Sequence, residues 1–600
     1  MTTETLETCS RDVKIGTSDK SFPLTWLRVG ILGIVALGCL VLLAQNQPDA
    51  DLWGHIQYGR DALTYGLPET STYNYTAEGY RWINHENIPE LLLAIGADTI
   101  GITGLQIVKC LLAAALLFLI AYRGWKQGAS VVTLSVILVV VSLSLAPWWT
   151  LRPQLMSFVL ATCLILLLDF SFGNWSGKWH LPWLRAFGCA GEEDSLDYKS
   201  AQLRWLWLIV PLIAIWTNSH AGFGVGLCLF IAYLCGRGLE ALTHFGTRGW
   251  GLYARFVLMI GAAILATFLT PYGPNLHKWL LTALSIDRPE ISEWNALDPW
   301  SVSAIPYLAL IGLIVASVLV SKKERDFTQM LLIACVLWQT ILHERHVAFL
   351  ALLAGFWLPQ HVQSFFDRVW PGNADDQDES TESISPAFRY GIAGVFGIAI
   401  LLLGARLYLR VADMPVPKSD WPISAFQYMA DRGLKGKIVC NFNWAQYCLA
   451  AFGVPGGNSA GGLQLHFDGR MCTCYPQSII DEHFDFVLGD NGKYGRFRGP
   501  DSPPRNDAAV LDRERPDLVL LDRKQPHSVQ VMAQQRDTWL LLYQDATSQL
   551  WGRRSRYDDP TSPHFIPLAL RSVSDAPQPG NVSWPAFPQV KKNEEAIAKK

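Results

Sequence analysis

Ten side chains whose types can carry chemistry stand at the ends of apolar runs rather than inside them. Asp49, Asp51 and His55 lie in Pro48-Asp49-Ala50-Asp51-Leu52-Trp53-Gly54-His55, and His85 and Glu86 follow Trp82 and Asn84. Arg152 follows Trp148 and Trp149, His220 follows Asn218, and Lys278 follows Tyr272, Asn275 and His277. Glu344 and Arg345 sit in His343-Glu344-Arg345-His346, with Glu293-Trp294 upstream of them. Ionisable groups at the ends of membrane spans are costly unless they face water or protein, so their default reading is functional. Acids, bases, histidines and tryptophans gathered at one membrane face describe a cleft there. Each also has a plainer reading. Asp49 and Asp51 suit the cap and first turn of a helix beginning near Leu52, His220 suits a span end, and Glu344 with Arg345 suits a structural ion pair.

The elements that must position this set are membrane helices. Half of the 600 residues are hydrophobic, and the mean hydropathy of +0.19 is high for a soluble chain of this length. The 24 tryptophans suit aromatic belts at membrane interfaces. A net charge of −3 gives no nucleic-acid footprint. A span needs about 20 apolar residues, and the pattern predicts about eleven, near 24–44, 105–122, 131–146, 155–170, 206–217, 223–234, 256–270, 305–320, 330–342, 347–358 and 392–407. No small-residue cleavage site follows the first, so it is expected to remain a span. With the N-terminus inside, the inner segments carry about twice the Lys and Arg of the outer ones. The odd number of spans then puts the polar set and the C-terminal part outside the cytoplasm. Residues 1–23 read as a cytoplasmic tail, 24–411 as the membrane domain with a structured outer loop at 46–102, 412–571 as an α/β domain and 572–600 as a disordered tail. Within the loop, 51–65 and 88–100 read as interfacial helices, the first with Leu52, Ile56 and Leu63 as its apolar face.

In the C-terminal part, helical patterns at 423–432, 444–452 and 529–536 alternate with strand patterns at 437–442, 463–467 and 518–521, and a hairpin spans 539–553. This predicts a small α/β domain with a mixed sheet. Asp468-Gly469-Arg470 follows a strand end, where such sheets place ligands; a turn closed by a salt bridge is the alternative. Cys440, Cys448, Cys472 and Cys474 are candidates for disulfides in an oxidising compartment.

The stretch "PDADLWGHIQYGRDALTYGLPETSTYNYTAEGYRWINHENIPELLLAIGADTIG" resembles the first outer loop of bacterial multi-spanning proteins of the GT-C glycosyltransferase class. "LRPQLMSF", "WTNSHAGFGVG", "LTPYGPNLH", "ISEW" and "ERHVAFLAL" follow in the same order, and "NFNWAQYCL" and "HFDGRMCTCY" resemble the extracytoplasmic domain of that group. Where relatives often carry Trp-Gly-Gly-Tyr, this chain has Trp444-Ala445-Gln446-Tyr447. The resemblance implies an α-helical polytopic protein of the bacterial inner membrane followed by an extracytoplasmic α/β domain. It also implies a hexosyl- or pentosyl-transferring enzyme that moves a sugar from a polyprenyl-phosphate donor to an extracytoplasmic acceptor. By the same resemblance Asp49 and Asp51 act as general base or hold a divalent metal, Mg or Mn. A carboxylate within reach takes the proton of an attacking hydroxyl. The departing phosphate calls for cations, with Arg152, Arg345 and Lys278 as candidates. His55, His85 and Glu86 would orient the acceptor, and His220 and Glu344 complete the substrate-facing set. The competing readings are a transporter or flippase for lipid-linked saccharide, which would favour inverted repeats broken at the midplane, and a silent scaffold.

Overall fold

Each apolar run expected as a span is a helix in the computed structural model, which describes residues 22–173, 175, 177–179, 200–286, 288–371, 386–453, 462–490 and 497–589. Helix α1 (Phe22–Leu43) leads to α2 (Leu52–Tyr65) and α3 (Asn87–Thr99), both in the first loop. After them come α4 (Gly101–Lys126), α5 (Val131–Leu145), α6 (Gln154–Ser171), the single turn α7 (Ser200–Leu203), α8 (Ile209–Thr217), α9 (Phe223–Phe245) and α10 (Trp250–Ala266). The bundle finishes with α11 (Pro274–Leu284), α12 (Ile305–Val320), α13 (Phe327–Leu342), α14 (Val347–Trp357), α15 (Pro359–Val369) and α16 (Pro386–Ala412).

Among the described residues, six helices are long and apolar enough to cross a membrane: Trp26–Leu43, Gly101–Lys126, Gln154–Ser171, Phe223–Phe245, Val302–Val320 and Ala387–Ala412. The chain is a multi-pass membrane protein. Other expected spans are shorter, and α14 shows why length alone misleads. All eleven of its residues are buried, as a helix apolar on every side must be, and it runs through the centre of the bundle against α4, α5, α6 and α13. Helix α16 is its opposite, with none of its apolar window buried, packed at the rim on α1. Helix ends follow local chemistry: Ser130 caps α5 by accepting from the Thr133 amide, and Asp326 caps α13 by accepting from Gln329.

The C-terminal elements are β1 (Pro415–Pro417), α17 (Ile423–Asp431), β2 (Gly436–Cys440), α18 (Phe442–Phe452), β3 (Leu463–Leu465), α19 (Gln477–Leu488), α20 (Ala509–Asp512) and β4 (Leu518–Asp522). They end with α21 (Pro526–Gln534), β5 (Trp539–Gln544), β6 (Ser548–Arg553), α22 (Arg554–Tyr557), β7 (Ser572–Val573) and β8 (Asn581–Ser583). Six strands form one mixed sheet in the order β3-β2-β4-β6-β5-β7, parallel across β3, β2 and β4 and antiparallel across β4, β6 and β5. The continuous apolar run of β4 is buried along its length except at Asp522, as a central strand requires.

Two expectations change. Residues 572–589, expected disordered, contain β7 on the sheet and β8 paired with β1, and Trp584 packs on the first-loop Trp53 with ring centroids 6.3 Å apart. The remaining residues of that expected tail, 590–600, lie outside the described residues. Helix α2, expected to lie on the membrane surface, is covered by the C-terminal part instead. Leu52 and Ile56 are buried against Leu93, Leu105, Leu151 and Met414, whereas Leu63 is exposed.

The first loop and the C-terminal part therefore share one end of the bundle. Trp53 stacks with Trp421 and Tyr447, Tyr75 and Leu465 exchange backbone hydrogen bonds with their neighbours across the junction, and Ile83 N–H donates to the Thr473 carbonyl at 2.9 Å. Gly54 lets α18 seat closely on α2: a Cβ would lie 1.8 Å from Gln446 Oε1 and would displace that amide.

Candidate functional site

A cavity of about 1290 Å³ opens between the loop end of the bundle and the C-terminal part. Its polar wall includes Asp51, His55, His85, Glu86, Glu90, Arg152 and His220, with Arg345 and Arg288 further round. Its apolar wall runs along α9 as far as Ala232 and along α13 through Leu332, Cys335 and Val336. At 1.5 Å per residue, Phe223 to Ala232 is a depth of about 14 Å, close to half the hydrocarbon thickness of a bilayer.

The two aspartates do different things. Asp51 occupies the cap position of α2 yet makes no capping hydrogen bond with its side chain, which removes the helix-capping reading for it. Its carboxylate pairs with Arg152 Nη2. Asp49 accepts the Asp51 amide at 3.0 Å and faces Arg152 Nε at 3.4 Å, and it does not line the cavity. Glu293 takes the remaining guanidinium nitrogen of Arg152 at 3.3 Å. Burial works against charge on Arg152, but Asp49, Asp51, Glu293 and Glu86 outweigh it and hold its pKa above the ordinary arginine value. Burial pushes the Asp49 carboxyl up, with Arg152 opposing.

A second cluster lies beside the first. His55 Nδ1 is 3.0 Å from Glu90 Oε1 and 4.0 Å from Glu86 Oε2, and Asn84 donates to Glu90 Oε2 at 2.6 Å. Nitrogen and carboxylate oxygens of His55, Glu86 and Glu90 fall within 4.8 Å of one another, the spacing of a metal-ligand set. Burial alone would lower His55, but the Glu90 hydrogen bond and the Glu86, Glu90 and Asp51 charges raise its pKa to about 9. His85 and His220, each 3.9 Å from Glu86, are driven down by burial and are neutral. His220 is fixed from behind by Ser157 at 2.9 Å and the Gly222 amide at 3.0 Å, and Ser157 in turn accepts Trp216 Nε1 at 2.8 Å.

Arg345 lies over the Trp294 ring at 4.6 Å. Glu344 turns the other way, to the Tyr307 hydroxyl, so these neighbours form no ion pair with each other. Lys278 is exposed on α11 and does not line the cavity; its neighbour His277 does.

The C-terminal part closes the cavity with Gln446 and residues 469–473. Asp468 and Arg470 form a buried two-point pair at 2.9 and 2.7 Å, the salt-bridge alternative for this turn. The Arg470 guanidinium is caged by Trp82 at 4.6 Å, Tyr58 at 5.0 Å and Tyr73 at 5.3 Å, which clamps the turn to the first loop. Gly469 then sits where a Cβ would be 2.6 Å from Asp51 Oδ1. Cys440, Cys448, Cys472 and Cys474 are free thiols.

Sequence reasoning missed Glu90 and Arg288. Glu90 reads as an ordinary first-turn acid of α3, and only its burial at 3% exposure marks it. Arg288 lies in a loop with no motif around it.

No known family profile matches the chain, and no curated protein does. Solved structures of the Archaeoglobus fulgidus oligosaccharyltransferase are similar. The apo form is 11% identical with TM-score 0.49, covering 84% of this chain and 70% of that one. The complex with an inhibitory peptide and a dolichol-phosphate is 10% identical with TM-score 0.48, over 84% and 70%. The form tethered to an acceptor peptide is 10% identical with TM-score 0.46, over 83% and 69%. That enzyme is a GT-C class glycosyltransferase, the class the quoted motifs resemble. No residue of this chain takes a role from that likeness.

Proposed function

We propose that the protein is a membrane glycosyltransferase that moves a sugar from a polyprenyl-phosphate-linked donor to a hydroxyl acceptor at the outer face of the bacterial inner membrane. The single observation that carries this reading is the cavity. One space holds a carboxylate, an arginine and an apolar wall about 14 Å deep, which are the needs of an acceptor, a phosphate and a lipid tail. In this reading the eleven helices at the expected positions all cross the bilayer, with α14 inside the bundle. The first loop and C-terminal part then face outward together.

Asp51 takes the acceptor proton as the hydroxyl attacks the anomeric carbon, because it lines the cavity and Arg152 fixes its orientation. The bond from that carbon to the donor phosphate oxygen breaks, and the phosphate leaves on its lipid beside Arg345. Asp49 is a positioning residue, holding the Asp51 amide and Arg152. Glu86 and His220 face the acceptor side. Lys278 has no part in binding, and Glu344 sets the turn that presents Arg345.

The residues present fit a divalent cation, though at a different place from the one the motif suggests. Asp49 and Asp51 are both engaged by Arg152, whereas His55, Glu86 and Glu90 bring two carboxylates and an imidazole together with one asparagine as support. This mixed donor set suits Mn²⁺ better than Mg²⁺. Held by His55, Glu86 and Glu90, a cation would supply positive charge to the polar wall of the cavity.

The test is transfer of labelled sugar from a polyprenyl-linked donor in membrane vesicles. Asp51→Asn is expected to abolish it, and unchanged transfer in that variant would overturn the assignment.

A further inference from the structure

Arg152 shares the cavity with two other arginines, and the three differ in one respect. Arg152 meets three carboxylates. Arg345 and Arg288 meet none within 4 Å among the described residues: Arg345 has the Trp294 face, and Arg288 is 7% exposed with Nη2 buried and without a hydrogen-bond partner. Both line the cavity. A buried guanidinium without an anion is costly, because desolvation is not repaid. Arg288 is such a group and Arg345 is half-buried, and two guanidinium groups without an acid facing one space are complementary to an anion brought from outside.

Resting on the glycosyltransferase reading above, we infer that the donor's headgroup is a diphosphate, and that Arg288 is the second arginine that holds it beside Arg345. A sugar joined to its lipid through one phosphate is a monoanion, and one joined through a diphosphate is a dianion. Arg152 is taken up by its three carboxylates. The groups left to meet the headgroup are therefore the two guanidinium groups of Arg288 and Arg345, each with a planar fork matched to phosphate oxygens. Arg288 follows α11, and Arg345 lies just before α14 at the same end of the bundle. The same cavity continues along apolar residues of α9 and α13, which can receive the lipid chain.

The experiment measures binding of the methyl esters of geranylgeranyl diphosphate and geranylgeranyl monophosphate, a dianion and a monoanion like the linked donors, and of inorganic diphosphate, to the full chain in lipid nanodiscs. The lipid diphosphate is expected to bind at least about tenfold more tightly than the monophosphate. Arg288→Gln and Arg345→Gln are each expected to weaken it by about 10- to 100-fold, the size of a charge-assisted hydrogen bond. Arg288→Lys keeps the charge without the fork and weakens it by less. It also serves as the second variant if the Gln form is poorly folded. Equal affinity for the two lipids, or an Arg288→Gln variant that binds the diphosphate as wild type does, overturns the inference while the donor reading stands. Inorganic diphosphate binding as tightly as the lipid form overturns the lipid assignment of the site. If neither lipid binds, the glycosyltransferase reading fails too.

Discussion

The bundle carries buried charge at both ends, and the two groups are built on different principles. At the end away from the first loop, Arg237 gives Nη1 to Glu240 at 2.7 Å and Nη2 to the Tyr233 hydroxyl at 2.8 Å, and pairs as well with Asp326, the cap of α13. Glu240 also accepts the Gly177 amide at 2.9 Å. None of these residues lines the large cavity. At the loop end the same residue types are arranged without closure. Carboxylates crowd His55 and Arg152 while Arg288 and Arg345 stand apart from any acid, and all but Asp49 and Glu293 border open space. A closed charge network fixes helices, and an open one has capacity for a ligand. Residue type is not what separates structure from function here; the pairing is.

The comparison breaks most sharply at its closed end. Arg237→Gln leaves Glu240 buried and Asp326 half-buried without their guanidinium partner, which is expected to cost about 3–5 kcal/mol. It should appear as a large drop in Tm and in folded yield. An unaltered melting profile would mean that this cluster is not structural. At the open end, Asp51→Asn is expected to lower sugar transfer by about 10²- to 10⁴-fold, the range for loss of a general base, while Tm stays near that of the wild type. Reversal of the two outcomes, with Asp51→Asn unfolding the chain and Arg237→Gln only slowing it, would invert the assignment.

A smaller effect tests the closing wall. In Gly469→Ala the new Cβ would meet Gln446 Nε2 at 2.4 Å and Asp51 Oδ1 at 2.6 Å. Both are ends of side chains, so they yield rather than unfold the protein, at a cost of about 1–3 kcal/mol or less. Moving the Asp51 carboxylate by a fraction of an ångström is expected to slow transfer about tenfold, in keeping with the sensitivity of reacting groups to misplacement. Normal transfer would show that the C-terminal part merely covers the site.

The open cluster also has a pH signature in the metal-free protein. His55 is raised to about 9 in the fold against an ordinary 6.5. A group raised in this way contributes stability that is complete below its unfolded pKa, and the contribution is lost as pH rises through the folded one. Stability should therefore fall between about pH 6.5 and 9, and His55→Gln should remove that slope. Thermal melts across the range measure it, and identical slopes in both proteins would remove the charge of His55 from the account.

The sequence made the helices legible because apolar runs of span length have few alternatives. It made the gathering of the polar set legible because those residues stand at the ends of the apolar runs, and most of them line one cavity. Direction within a pair was not legible. Nothing in Asp49-Ala50-Asp51 says that one carboxylate borders a cavity and the other supports it from behind, since this depends on where Arg152 arrives from α6. Glu90 was hidden by a role any helix gives its first turn, and β7 and β8 by short, exposed strands that exist only through their partners β5 and β1. The closeness of Gly469 to Asp51 joins residues more than four hundred positions apart, beyond the reach of any local pattern.

Lys278 gives the smallest expected effect and the cleanest test of that limit. By type and position it belonged with Arg152 and Arg345 as a phosphate contact. Successive residues of a helix diverge by about 100°, and on α11 the step from His277 to Lys278 turns out of the cavity. His277 lines the cavity, held by Thr267 at 2.7 Å, and Lys278 is exposed. Lys278→Ala is therefore expected to leave transfer within about twofold, and stability within the ±0.5 kcal/mol usual for surface changes. Parallel transfer assays and melts of Lys278→Ala and Arg345→Gln decide it. Were the lysine variant to lose lipid-phosphate binding as the arginine variant does, the cavity would have to reach beyond α11, and pairing would no longer separate the cations that serve the ligand from those that do not.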